Sequence, residues 1–137
     1  MDYSIYQHIE KRTVIIGFIS FIVIVFAFPF ITGIIASFGV SDNVFKIMVP
    51  LIQYKFVLII LAGLITGYIS KNSPLINSIA VGILGYIAWL IIISISITLT
   101  ETTFSINFIA SQSLVTISLC AAGGLCVSLF KYVSAKL

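Results

Sequence analysis

Two apolar runs joined by four polar residues constrain this chain more than any other stretch. LAGLITGYIS ends at Ser70, the polar residues Lys71, Asn72, Ser73 and Pro74 follow, and LINSIAVGILGYIAW continues to Trp89. A connection this short makes the flanking elements antiparallel neighbours. Pro74 suits the first position of a helix, where its missing N–H is no loss. The predicted unit is a pair of membrane-crossing helices folded back on each other. Composition supports a bilayer as the solvent: 61% of the 137 residues are hydrophobic and 8% are charged, against roughly 25% charged in soluble domains. Such apolar runs are comfortable only where lipid surrounds them.

Extending the reading outward gives one domain, residues 1–137, with four spanning helices at about 13–38, 51–70, 75–99 and 109–130. The fold class is all-α: a polytopic membrane protein built as an antiparallel bundle. The first apolar run is too long for a signal peptide and lacks a small-x-small cleavage site, so it is retained as a helix. Pro29 in its second half predicts a kink, eased by Gly33. Ser41 and Asp42 open a mostly apolar stretch that reads as a short interfacial helix before Pro50. A second spanning helix starting after Lys55 would reach only a little over ~20 Å, short of the roughly 30 Å hydrocarbon core. It is therefore predicted to start near Leu51, with Lys55 snorkelling to the headgroups. Lys55 facing the bundle, to bind an anion or substrate, is the functional alternative.

The basic residues set the orientation. Lys11, Arg12, Lys71, Lys131 and Lys136 fall on one side of this topology, Lys46 and Lys55 on the other. The positive-inside rule places both termini in the cytoplasm. The net charge of +3 is thus a topology signal and not a nucleic-acid surface.

Small residues predict where helices meet, because lipid supplies no hydrophobic drive between them and close packing must hold the bundle. Gly63 and Gly67 form G-x-x-x-G on the second helix, and Ser78, Gly82 and Gly85 lie along the third. Centred on the turn, the register sets Gly67 opposite Ser78, Gly63 opposite Gly82 and Ile60 opposite Gly85, a glycine-packed hairpin. Gly123 and Gly124, with Ser118, Ala121, Ala122 and Ser128, form a second small patch that can receive another helix or a second copy. Tyr86 and Trp89, three residues apart on the third helix, need polar partners at depth, supplied by Ser or Thr of a neighbour. They are packed interior aromatics or, alternatively, a ligand-pocket floor.

The chemistry of known enzyme sites is missing from the pattern. Asp2, Glu10, Asp42 and Glu101, the only acids, lie outside the spanning segments, whereas proton-coupled carriers keep an ionisable group at depth. Small multidrug-type antiporters resemble this chain in length only, since the acid of their first helix is missing. The sole histidine, His8, sits in the basic N-terminal tail, too far out to serve as an intramembrane base. Cys120 and Cys126, six apart on one helix, point to different faces, so neither a disulfide nor a metal pair is expected. No catalytic residue, cofactor or metal ligand is predicted, and the reading is non-enzymatic.

AGLITGYISKNSPLINSIAVGILG, Ala62 to Gly85, resembles the A-G-x-x-[AT]-G-[YF]-[IV]-[AS], polar turn, P-L-x-[NH]-[SGA]-x-x-V-G pattern of small bacterial four-helix integral membrane proteins of unknown function. The resemblance implies four helices in a bacterial inner membrane and brings no activity or site residues with it. The expected partners are the lipid bilayer and either further copies of the chain or another membrane protein, with no nucleic acid. Three functional classes stay open. One is a packing or accessory protein, another a small channel or carrier lined by Lys55, Tyr86 and Trp89, and the third an immunity or holin-like protein.

Overall fold

The computed structural model describes residues 9–27, 55–100 and 105–136. Among them the chain is all helical: α1 (Lys11–Ile22), continued by a π-helical segment (Val23–Ala27), then α2 (Lys55–Ile69), α3 (Pro74–Thr100) and α4 (Ile106–Ser134). The predicted kink at Pro29, the interfacial helix before Pro50, the helix start near Leu51 and the Glu101 loop lie outside the described residues. α3 starts on Pro74, as its missing N–H allows. α4 is longer than predicted at both ends. Ser105 caps it by accepting from the Phe108 N–H at 3.2 Å, and its last turns carry Lys131 and Tyr132 beyond the apolar run.

α2 and α3 form the centre of the bundle. α4 packs extensively on both and α1 packs on both, whereas α1 and α4 make no substantial contact with each other. The cross-section is therefore a rhombus with the hairpin on its short diagonal. Polar and apolar side chains share the interior. The interior holds Thr13, Thr66, Ser70, Asn77, Ser78 and Thr116 among its buried residues, beside Phe21, Ala62, Val81 and Cys120. Large aliphatic and aromatic groups face outward on every helix, among them Ile15 at 60% exposure, Ile91 at 57%, Leu114 at 69% and Phe130 at 72%. Among the described residues, two helices are long and apolar enough to cross a membrane: α3 over Pro74–Ile92, with mean hydropathy 2.2, and α4, with mean hydropathy 2.0.

Gly63, Gly67, Ser78, Gly82, Gly85, Gly123 and Gly124 are all buried, but the partners differ from the hairpin register expected from the sequence. A Cβ on Gly63 would strike the backbone of Cys120, one on Gly67 would lie 3.2 Å from the Gly124 Cα, and one on Gly82 would lie 3.0 Å from the Cys120 Cβ. Reciprocally, a Cβ on Gly123 would lie 2.5 Å from the Ile60 carbonyl oxygen and 2.7 Å from the Leu64 nitrogen, and one on Gly124 would meet Ser78. The gap at Gly85 receives the Phe21 ring of α1 and not Ile60. The physical reason is that α4 is as small at Gly123–Gly124 as the hairpin is. The closest backbone approach is made there, while across the α2–α3 contact the Ser78 hydroxyl donates to the Gly63 carbonyl at 2.9 Å.

Candidate functional site

The turn between α2 and α3 leaves backbone groups without helical partners on both sides: carbonyls at the end of α2, N–H groups before α3. Two side chains distant in sequence reach them. The Glu10 carboxylate accepts from the Asn72 N–H at 2.8 Å and the Lys71 N–H at 3.0 Å. It also accepts from the hydroxyls of Thr13 at 2.8 Å and Ser70 at 3.3 Å. From the other side, the Lys131 ammonium of α4 donates to the carbonyls of Gly67 at 3.3 Å and Tyr68 at 3.4 Å, and to that of Ser70. A cation on terminal carbonyls and an anion on free N–H groups both match the dipoles they meet.

Asn77 and Ser70, both buried, join these contacts into one network. The Asn77 amide oxygen accepts from the Glu10 N–H at 3.0 Å, and its Nδ2 donates to the Ser70 Oγ at 2.8 Å. That same hydroxyl accepts from the Ser73 N–H at 3.3 Å. Four backbone or side-chain N–H and O–H groups converge on one carboxylate, and the Asn72 N–H has the largest effect on it. Partial burial works in the opposite direction and is outweighed, so the Glu10 carboxyl is held at about 2 against an ordinary 4.5. It is ionised throughout the physiological range.

The cluster fixes three parts of the chain at one end of the bundle: the start of α1, the turn, and the last turns of α4. Sequence reasoning offered Lys55, Tyr86 and Trp89 as candidate lining instead. It missed Glu10, Ser70, Asn77 and Lys131 as a group, because Glu10 and Lys131 look like solvated flanks and lie about sixty residues from what they bind. Asn77 carried the readable signal. An amide one turn inside an apolar helix needs partners, and here it sits at the N-terminal turn that also needs them.

The other candidate residues fall away from this cluster. Lys55 is half-buried at the first described residue of α2, its ammonium 5.1 Å from the Phe56 ring centre. Tyr86 and Trp89 stack at 5.9 Å with an interplanar angle of 21°, and Trp89 meets Phe108 of α4 at 6.2 Å. The Tyr86 hydroxyl donates to the Ile109 backbone carbonyl at 3.2 Å. Its partner is thus main chain and not the Ser or Thr expected. Cys120 is buried and Cys126 exposed, both as free thiols. Comparison with family models, curated proteins and solved structures gave no match.

Proposed function

We propose that the chain is a multi-pass protein of the bacterial inner membrane with four spanning helices and cytoplasmic termini. It acts without enzymatic chemistry, by packing against further copies or another membrane protein. The observation that carries this reading is the side-chain distribution: polar groups share the interior with apolar ones, while large aliphatic groups face outward on all four described helices. In water that exterior would aggregate; in lipid it is solvated. The resemblance of the Ala62–Gly85 stretch to small bacterial four-helix membrane proteins points the same way.

The cluster at the turn supports the orientation. It gathers Lys11, Arg12, Lys71, Lys131 and Lys136 at one end, the asymmetry that the positive-inside rule assigns to the cytoplasm. A packing role is preferred over a carrier because buried hydroxyls are spent on backbone carbonyls, Thr66 on Ala62 at 2.8 Å and Ser78 on Gly63. Among the described residues these two hydroxyls are therefore not free to replace the water of a permeating solute.

The test is alkaline carbonate extraction of bacterial membranes, followed by labelling of cysteines introduced into a C126S chain. The protein is expected to stay in the membrane pellet. Lys136→Cys should be protected from an impermeant maleimide in intact cells, and Glu101→Cys should be labelled. Release by carbonate refutes the membrane reading, and the reverse labelling refutes the orientation.

A further inference from the structure

Beside the Glu10 cluster, between the first turn of α1 and the turn of the hairpin, lies an open groove of about 490 Å³. Its walls include Lys11, Arg12 and Lys71. Among the described residues no acid pairs with any of the three. The one carboxylate present, Glu10, is directed at the turn's N–H groups and puts no side-chain cap on α1. The positive end of that helix therefore opens toward the groove as well. Three cations against one already satisfied carboxylate leave the groove short of negative charge.

On the membrane side the groove is bounded by Ile16 and Ile69. Ile69 also lines a second groove, of about 400 Å³, which continues along α2 past Leu64 and Ile65 to Val127 of α4 and is almost wholly apolar. A basic groove and an apolar groove that share one wall residue match the two halves of a phospholipid. A free phosphate would use the first and leave the second empty.

We propose that the two grooves seat one anionic phospholipid, its phosphate among Lys11, Arg12 and Lys71 and one acyl chain past Ile69 along α2. The site rests on the membrane reading above and specifies which lipid class the bundle selects. A headgroup with a net negative charge balances the groove, whereas a zwitterionic one brings its own cation into it.

The full-length protein, purified in detergent, is exchanged with dioleoylphosphatidylglycerol or dioleoylphosphatidylcholine, and retained lipid is read by native mass spectrometry. Phosphatidylglycerol should be retained about tenfold or more over phosphatidylcholine. Each basic residue at the surface accounts for about a fivefold preference, so R12Q/K71Q should lower retention about twenty-five-fold. K136Q removes one charge outside the groove, as K71Q alone does inside it, and should leave retention unchanged. I69S should weaken retention with all charges intact. Unchanged helix content by circular dichroism shows that the variants fold. Equal retention of the two lipids, or an equal loss in K136Q, overturns the site. Displacement of phosphatidylglycerol by excess inorganic phosphate, with I69S silent, overturns the lipid as occupant. Carbonate release of the unmodified chain is a separate failure, that of the membrane reading.

Discussion

Glu10→Gln removes one charge from the cluster and leaves its shape. In the unmodified chain the two carboxylate oxygens accept from four donors, two of them the backbone N–H groups of Lys71 and Asn72. Bonds to an ionised acceptor contribute about 1.5–3 kcal/mol and neutral ones about 0.5–1.5. Neutralising the acceptor of the two backbone bonds therefore costs about 2 kcal/mol, which screening at the exposed turn reduces to about 1 kcal/mol. Glu10→Ala, which removes the acceptor altogether, should cost more, about 2–3 kcal/mol. The assay is thermal exposure of Cys120 in a C126S background, read with a thiol-reactive dye in detergent, since Cys120 is buried at the α2–α4 contact. pH supplies the decisive control, with unfolding followed there by circular dichroism because too little thiolate exists in acid for the dye to react. The folded-state carboxyl sits at about 2 and its ordinary value is 4.5, so its stabilisation is complete above about 4.5 and is lost as pH falls toward 2. The difference between the unmodified chain and Glu10→Gln should be constant from neutral pH down to about 5 and should close below that. A difference that stays constant down to pH ~3, or no difference at neutral pH, would refute the assignment of Glu10 as the ionised acceptor.

The remaining expectations use the same assay. Gly123→Ala places a Cβ 2.5 Å from the Ile60 carbonyl oxygen and 2.7 Å from the Leu64 nitrogen; neither can yield, so a loss of about 1–3 kcal/mol is expected. Gly67→Ala meets its nearest atoms at 3.2 Å, and the helix preference of alanine, up to about 1 kcal/mol, should make it nearly neutral. Equal behaviour of the two would contradict the seam. Lys131→Gln weakens the cap on the Gly67, Tyr68 and Ser70 carbonyls and should cost about 1–2 kcal/mol, whereas the neighbouring exposed Tyr132→Phe should be silent. Tyr86→Phe deletes the bond to Ile109 and should cost about 0.5–1.5 kcal/mol, with Trp89 emission reporting whether the stack persists.

The helices were legible in the sequence where a local rule decided them. Lys71 to Pro74 fixed the turn, Pro74 fixed the start of α3, and the apolar runs located α3 and α4 to within a few residues. What α2 and α3 pack against was not legible, because the register about the turn assumes that neighbours in sequence make the tightest contact. Gly123 and Gly124 overturn that assumption. They carry no less space than Gly63 and Gly67, and a helix free to approach from the side is not held apart by a turn. The candidate site was hidden for a different reason. Hydrogen bonds to backbone N–H and C=O leave no residue-type signature at the receiving end, so Lys71 and Asn72 give no sign that an acid is required. Only the buried amide of Asn77 marked the place.

That backbone-directed chemistry also explains how one end of the bundle can hold two roles without conflict. Glu10 takes the N–H groups of Lys71 and Asn72 and nothing from their side chains, so the Lys71 ammonium is left over. Lys131 gives its ammonium to three carbonyls, and Lys136 lies 4.3 Å over the Tyr132 ring. Of the five cations gathered at this end, two are therefore engaged with α4 and its neighbours. Lys11, Arg12 and Lys71 remain for an external anion. Lys71→Ala separates the roles: the main-chain bond to Glu10 survives and thermal exposure of Cys120 should not change, while retention of phosphatidylglycerol falls about fivefold. A single residue then contributes its backbone to the clasp and its side chain to the lipid. Loss of both properties together would mean that the clasp and the groove are one site.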